Sequence, residues 1–307
     1  MAEQARAAVA VTGAHHSSWN SLVKPLVQDD GQPGSVGWDN TIKYHAKLTV
    51  AVLQEMFDRA GQQHDEATLQ RYREALRVVF HENIHLLAAA GTSLAMGCGA
   101  YQEPANEVLE EGTTELATQN ALNQYIEVLD LETIAPGITA ARTAPDYGAY
   151  TPAVKSFTDV LGDQTGLPGV EVIRRMAVVT TAHKLWVAAE LLYGVALSAV
   201  VPDQGRAAAI TDIAAAMKPR FAEIYGYDPL DVRLSRHAGW NAYYDGVKAA
   251  KAIEAYWSGL QDLRRSLDAG LGAMPRLDDP QGSTHDATRP SDPRRGKAGQ
   301  SPWLREG

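Results

Sequence analysis

The stretch FHENIHLLAAAG, residues 80–91, contains two histidines four residues apart in an otherwise almost wholly apolar run. Residues at this spacing lie on one face of a helix, so the imidazoles of His81 and His85 can bind a single ion. Glu82 directly follows the first histidine and would lie beside that ion. Two core histidines satisfied by hydrogen bonds are the alternative. A buried helix gains nothing from three ionisable groups unless something satisfies them, which favours a metal site.

Two nitrogens do not complete a catalytic zinc site. Such a site normally has three protein ligands and keeps a fourth position for water, whose pKa zinc lowers to about 7. Glu82 would take the proton from that water as it attacks a polarised carbonyl group. The motif therefore predicts a zinc hydrolase and requires a third ligand elsewhere in the chain.

The residues before the motif predict a long helix that leads into it. Apolar residues recur at three- and four-residue steps at positions 69, 72, 76, 79 and 80. Asp65 or Thr68 could cap the start of this helix. The motif is then the last part of a helix rather than part of a loop.

The third ligand is expected on the next predicted helix, which begins at Pro104. Its segment NEVLEEGTTELAT, residues 106–118, carries Glu107, Glu111 and Glu115 at every fourth position, so the three share one face. Three like charges on one stripe repel each other unless a cation or other partners balance them. A solvated acidic face is the alternative interpretation. Glu110 projects about 100° away from Glu111, so the two cannot both face the metal, and we expect Glu110 to matter little for metal binding.

HENIH on one helix and LEEGTTE on the next, with 25 residues between His85 and Glu111, resemble the gluzincin metallopeptidases. The resemblance implies that His81, His85 and Glu111 are zinc ligands and that Glu82 is the general base. It also implies that Glu115 holds a ligand histidine in place. It covers residues 80–130 and implies a minimal zincin-like fold, in which an edge strand before the active-site helix presents the substrate.

Gluzincins also supply a downstream histidine or tyrosine that stabilises the tetrahedral oxyanion. The sequence offers several candidates for this role: Tyr147, Tyr150, His183, His237 and Tyr243. We favour Tyr150, because the glycine and proline around it indicate a loop that could reach the site.

The remaining sequence predicts a mostly α-helical, α+β fold with a small β-sheet. Residues 39–48 alternate between apolar and polar positions, as a half-buried strand does. Further helical patterns cover residues 151–162, 169–200, 205–225 and 241–269. We expect residues 1–33 to form a loosely ordered N-terminal arm and residues 34–270 to form the zincin-like metal-binding domain. Residues 271–307 are rich in Pro, Gly and charge and are expected to be a disordered tail.

Composition limits the partners and the compartment. A net charge of -9 argues against general binding to nucleic acid or to an anionic membrane. A single cysteine, Cys98, excludes an intramolecular disulfide and fits a reducing compartment. The first residues lack the pattern of a secretory signal, and the most apolar window, residues 185–201, contains Glu190. We therefore expect a cytoplasmic protein that is not embedded in a membrane.

Together these features predict a zinc-dependent metallopeptidase that acts on a peptide or protein substrate. One alternative is a zinc enzyme of the same fold that acts on a non-protein amide or a peptide natural product. The other is a non-catalytic helical interaction module whose metal site is structural or lost. Glu82 distinguishes them, because a structural site needs no base beside an open coordination position.

Overall fold

The computed structural model describes residues 1–26, 31–143 and 146–272. It divides the chain into two units, Met1–Gln261 and Asp262–Gly307. The helices are α1 Ala2–Thr12, α2 Ala51–Asp58, α3 Glu66–His85, α4 Cys98–Tyr101, α5 Pro104–Val128, α6 Leu131–Ile134, α7 Tyr150–Thr165, α8 Gly169–Ala177, α9 Lys184–Ala196, α10 Asp203–Ile224 and α11 Val232–Gly272. The strands are β1 His16–Ser17, β2 Val23–Pro25, β3 Gly34–Val36, β4 Ile42–Tyr44 and β5 Leu87–Ala88.

These elements confirm the prediction of a mostly helical fold with little sheet. One sheet has the strand order β2-β4-β3, in which β2 runs parallel and β3 antiparallel to the central strand β4. The strands β1 and β5 form a separate antiparallel pair.

The strand expected over residues 39–48 is much shorter in the structure. Only Ile42–Tyr44 are extended, and Ile42 and Tyr44 are buried as the alternation predicts. The chain then turns into a π-helix at Ala46–Val50, because the side chain of His45 accepts hydrogen bonds from the amides of Lys47 and Leu48. The strand β4 is also central in its sheet, with both of its edges paired. It therefore has no free edge of the kind that presents a substrate in the gluzincins. The edge strand next to the site is β3.

The centre of the first unit is α5, which packs against α3, α7, α8 and α10. Its residues are buried almost without interruption from Ala105 to Thr118. Gly112 permits the approach of α7, because an added Cβ would lie 2.8 Å from Cγ2 of Val154. The glycine in LEEGTTE is therefore required by helix packing.

The helix α3 begins where the sequence predicts. Asp65 is its N-cap, and its side chain accepts a hydrogen bond from the amide of Thr68 at 2.7 Å. The helix runs for 20 residues and ends at His85. The sequence HENIH therefore lies on its last turns, packed beside α5.

Part of the segment for which we expect a loosely ordered arm, residues 1–33, is the helix α1 Ala2–Thr12. The helix α1 packs on α3 and α5 and buries Ala5, Ala7 and Ala8. Arg174 on α8 donates a hydrogen bond to the carbonyl oxygen of Thr12 at 2.7 Å. Alanines allow close helix packing but give a weak amphipathic pattern, which is why the sequence did not reveal this helix.

The single helix expected over residues 169–200 is two helices, α8 and α9, separated by a break that includes a 3₁₀ turn at Thr181–His183. Lys184 begins α9 and is fully buried. Among the described helices, none has the length and apolar character needed to cross a membrane. The expected disordered tail lies outside the described residues, except for residues 271–272, which belong to α11.

Candidate metal centre

The candidate centre lies between α3 and α5, deep in the first unit. His81, Glu82 and His85 come from α3, and Glu111 faces them from α5. Their side chains are almost completely excluded from solvent: the exposed fraction is 5% for His81, 7% for Glu82 and 8% for Glu111. Burial of so many ionisable groups is costly unless they find partners or a cation.

The ligand atoms predicted from the sequence converge. Nε2 of His81 lies 3.0 Å from Nε2 of His85. Oε2 of Glu111 lies 3.5 Å from the first nitrogen and 3.4 Å from the second. Tetrahedral coordination with bonds of about 2.0–2.1 Å separates neighbouring ligand atoms by about 3.3–3.4 Å. Oε2 of Glu111 is buried and makes no hydrogen bond with a described residue. The three atoms therefore fit one small cation.

The outer nitrogens of both histidines contact carboxylates. Nδ1 of His81 lies 3.1 Å from Oε2 of Glu115, and Nδ1 of His85 lies 2.9 Å from Oε1 of Glu110. An ionised carboxylate only accepts hydrogen bonds, so each Nδ1 carries the proton and donates it. In a neutral ring Nε2 then keeps its lone pair, so it is the nitrogen that would bind a cation. This is the arrangement by which carboxylates orient histidine ligands of metals.

Glu115 is fixed by Arg77 on α3. The Arg77 guanidinium donates to Oε2 of Glu115 at 2.6 Å, and it also pairs with Glu74 and Asp146. Burial opposes ionisation of Glu115, but His81 and Arg77 outweigh it and lower its pKa to about 2. The role expected for Glu115, holding His81, agrees with this geometry.

Glu110 was expected to project away from the ion and to matter little. The structure instead places it against His85, with Lys184 3.2 Å and the Thr181 hydroxyl 2.8 Å from its Oε2. Burial opposes its ionisation, but Lys184 and then His85 lower the pKa of Glu110 to about 2. The two neighbouring glutamates do point in different directions. Both reach the histidines because each imidazole has two nitrogens on different sides.

Two tyrosines complete the surroundings of Glu111. The Tyr101 hydroxyl donates to Oε1 of Glu111 at 2.6 Å. The ring of Tyr147 stacks on His81, with centroids 5.8 Å apart and an interplanar angle of 9°. Tyr101 had no recognisable sequence signal, whereas Tyr147 was one of the expected oxyanion candidates.

The favoured candidate, Tyr150, does not line this pocket. It begins α7 and stacks on Tyr147, with centroids 5.9 Å apart. Among the other candidates, His183 hydrogen-bonds to Thr180, Tyr243 packs in the core, and His237 is exposed on α11. Of the candidates considered, Tyr147 is the one that the structure brings to the pocket.

The centre opens into a pocket of about 170 Å³. Glu82 lines this pocket beside the histidines. The edge strand β3 lies close above Glu82, because a Cβ added to Gly34 would be only 3.0 Å from its Oε1. Burial raises the pKa of Glu82. A buried carboxylate with a raised pKa at a pocket is a stronger base than an exposed one and is suited to accept a proton.

Two of the four glutamates around the centre are paired with a basic side chain, and two are not. Glu110 pairs with Lys184 and Glu115 pairs with Arg77. Within the described part of the chain, Glu82 and Glu111 have no ion pair with a lysine or arginine. One divalent cation would neutralise these two charges, in agreement with the spacing of the ligand atoms.

Comparison of the chain with protein family models, with curated proteins and with solved structures finds no match. The interpretation of the centre therefore depends on its own residues. Among the residues that the structure describes, His81, His85 and Glu111 form a group that could hold a metal ion. One ligand atom from each of them lies within 4.8 Å of the other two.

Proposed function

We propose that this protein is a zinc-dependent hydrolase that cleaves peptide bonds. The observation that carries the proposal is the convergence of His81, His85 and Glu111 around one point of a pocket that Glu82 also lines. Three protein ligands with an accessible fourth position are typical of catalytic zinc, whereas structural zinc usually has four protein ligands. The accessible pocket favours catalysis over the alternative of a structural metal site.

The ligand set favours zinc as the ion. Two imidazoles and one carboxylate suit zinc, whereas calcium and magnesium prefer oxygen ligands alone. A bound zinc ion would polarise the substrate carbonyl group and increase the acidity of water. The outer partners Glu110, Glu115 and Tyr101 would hold the three ligands in one orientation.

Glu82 would move the proton. It accepts a proton from the attacking water and later donates it to the amine that leaves when the C–N bond breaks. Its burial supports this role, because burial raises the pKa of Glu82 and so makes its carboxylate a stronger base. Tyr147 takes the place expected for Tyr150 in our proposal. Its position against His81 at the pocket would allow its hydroxyl to donate a hydrogen bond to the oxyanion.

The decisive experiment combines metal analysis with cleavage of an unbiased peptide library. Wild-type protein should contain about one zinc ion per chain and should cleave peptides until a chelator removes the metal. Glu82→Gln keeps the size of the side chain but cannot accept the proton. It should keep the zinc and lose activity by roughly 100-fold or more. Protein without stoichiometric metal, or a fully active Glu82→Gln variant, would refute the proposal.

A parallel library of non-protein amides tests the remaining enzymatic alternative. Cleavage of those compounds alone, with the same dependence on Glu82, would retain the mechanism and change the substrate class.

A further inference from the structure

The helix α11 leaves one face open to solvent over its first half. Lys251 follows Arg233 by 18 residues, which is about five helical turns, so the two side chains leave the helix in the same direction. Trp240 and Tyr244 lie within about 20° of that direction. All four residues are exposed, Trp240 to 49% and Tyr244 to 46%. These four residues and three exposed ones at their sides make up the α11 face: Arg236, His237 and Lys248.

The opposite side of α11 packs closely on the protein. A Cβ added to Gly239 would overlap the carbonyl oxygen of Ala153 on α7. The Ser156 hydroxyl on α7 donates a hydrogen bond to the carbonyl oxygen of Arg236 at 2.8 Å. These contacts hold the first half of α11 in place, so the α11 face is presented on a fixed helix.

The α11 face is positively charged. Residues 233–251 contain four Lys or Arg residues and one acidic residue, Asp245. Asp245 pairs with Lys248, at 3.1 Å. Arg233, Arg236 and Lys251 form no ion pair with a residue that the structure describes. Three cations of the face are therefore available to an anionic partner.

This local charge is opposite in sign to the net charge of -9 of the whole chain. The exposed acids nearest in sequence, Asp231 and Glu254, come before and after the face rather than within it. Physiological salt screens charges beyond about 8 Å. A partner that touches the α11 face therefore responds to its cations more than to acidic groups elsewhere. The net charge opposes general binding to anionic surfaces but not binding through this face.

The aromatic residues between these cations indicate which anionic partner fits. Trp240 and Tyr244 contact each other edge to face, with ring centroids 6.0 Å apart at 87°. Such rings have an apolar body and a polar N–H or O–H group, and they favour the boundary between lipid headgroups and acyl chains. Leu234 on α11 is 53% exposed, and Leu230 in the preceding turn is 88% exposed. Aliphatic side chains suit acyl chains, whereas single-stranded nucleic acid is bound mainly by aromatic stacking.

The shape of the α11 face also favours a flat partner. The face extends for about 27 Å along one helix. A single helix face is convex, so it does not enclose a peptide, but it can lie along a membrane surface.

We propose that the α11 face binds the surface of a membrane that contains anionic lipids, with α11 lying parallel to that surface. Trp240 and Tyr244 enter the headgroup layer, and Arg233, Arg236 and Lys251 contact the lipid phosphates and carboxylates. The contact is peripheral and does not require any helix to cross the bilayer. It does not depend on the proposed function, because no residue of the metal centre takes part.

Cosedimentation of the full-length protein with lipid vesicles tests this inference. One set of vesicles contains phosphatidylcholine alone, and the other contains in addition roughly 30% phosphatidylserine. Three available cations predict that the protein partitions roughly 10- to 100-fold more strongly onto the vesicles with phosphatidylserine. This preference should disappear at about 1 M salt, because salt screens exposed charges.

Substitutions on the α11 face should weaken this binding without changing the melting temperature, because the side chains are exposed. Arg236→Gln/Lys251→Gln should reduce partitioning onto the anionic vesicles by about 10- to 30-fold. Trp240→Gln should reduce it by about 10-fold, because an apolar ring no longer enters the headgroup layer.

Matched controls separate the face from general charge and hydrophobicity. Lys47→Gln/Lys155→Gln removes the same charge from exposed positions outside α11. Tyr256→Gln removes an aromatic residue that is 63% exposed and lies on another side of α11. Both control variants should bind the anionic vesicles as the wild type does.

Equal binding to the two kinds of vesicle, absence of binding to the anionic vesicles, or equal loss in the control variants would overturn the inference. A single-stranded oligonucleotide and an oligoglutamate peptide are tested in parallel by fluorescence anisotropy. If either of them binds with the same dependence on Arg236, Lys251 and Trp240 and displaces the protein from the vesicles at micromolar concentration, the face belongs to that partner and the membrane assignment is wrong.

Discussion

The role of the buried Lys184 in the metal centre can be tested with the substitution Lys184→Met. Lys184 has no exposed surface, and its Nζ lies 3.2 Å from Glu110, which in turn contacts His85. Without the ammonium group, Glu110 has less reason to stay ionised and becomes a weaker acceptor for Nδ1 of His85. We expect zinc to bind about 10- to 100-fold more weakly, as when other outer partners of metal ligands are lost.

The same substitution should reduce stability. Burial opposes ionisation of Glu110, yet its partners lower its pKa from 4.5 to about 2. Among these partners, Lys184 has the largest effect. Once the opposing effect of burial is included, the net shift corresponds to about 3 kcal/mol. It stabilises the fold above pH 4.5 and is lost as the pH falls through about 2. At neutral pH the melting temperature should fall by roughly 5–10 °C.

Stability alone does not identify the role, because Lys184 also donates to the carbonyl oxygen of Met176 at 3.1 Å. Zinc affinity, measured against a competing chelator, is the diagnostic quantity. If Lys184 acts through Glu110, the double variant Glu110→Gln/Lys184→Met should bind zinc no more weakly than Glu110→Gln alone. Lys155→Met removes an exposed lysine that pairs with Asp159 and serves as the control. Unchanged zinc affinity in Lys184→Met, together with reduced stability, would show that the lysine is only structural.

Three other predictions follow from the described contacts. Glu111→Ala should abolish tight zinc binding in a chelator titration, whereas Glu107→Ala, one turn earlier on α5, should retain it; the reverse result would refute the ligand assignment. Gly34→Ala should lower the turnover rate by about 10-fold or more with zinc retained, because the new Cβ would lie 2.8 Å from Cγ1 of Val78 and 3.0 Å from Oε1 of the base Glu82, which must then shift. Gly99→Ala is its control, since nothing lies within 4 Å of the Cβ there, and equal activity of both variants would contradict the prediction. Glu171→Gln should lower the melting temperature at pH 7, because Arg174 holds the pKa of Glu171 at about 2. The difference in melting temperature from the wild type should become smaller as the pH falls from 4.5 toward 2. A difference that does not depend on pH would be inconsistent with this pairing.

The parts of the centre that follow from local helix geometry could be predicted from the sequence. The spacing of His81 and His85 fixes their common face, and the spacing of Glu111 and Glu115 fixes theirs. Helix boundaries at Asp65 and Pro104 followed from capping preferences. These features depend on residues within a few positions of each other.

The parts that depend on distant residues could not be predicted. Lys184 lies more than 70 residues after Glu110 in the sequence, and no local pattern indicates that a lysine at the start of an apolar helix turns toward a carboxylate. Helix rotation directs Glu110 away from the metal-binding side of α5, but Glu110 still reaches His85 because the imidazole has a second nitrogen, Nδ1, on its other side. The edge strand β3 was missed because three residues that include a glycine give almost no periodic signal.

The proton on each outer histidine nitrogen makes the centre visible to magnetic resonance. Both Nδ1–H groups donate to buried carboxylates, and His81 is only 5% exposed. Ring protons held in this way exchange slowly with solvent and resonate far downfield of the amide envelope. Two such resonances would report the tautomers directly, and their exchange rates would measure how often the space between α3 and α5 opens to water.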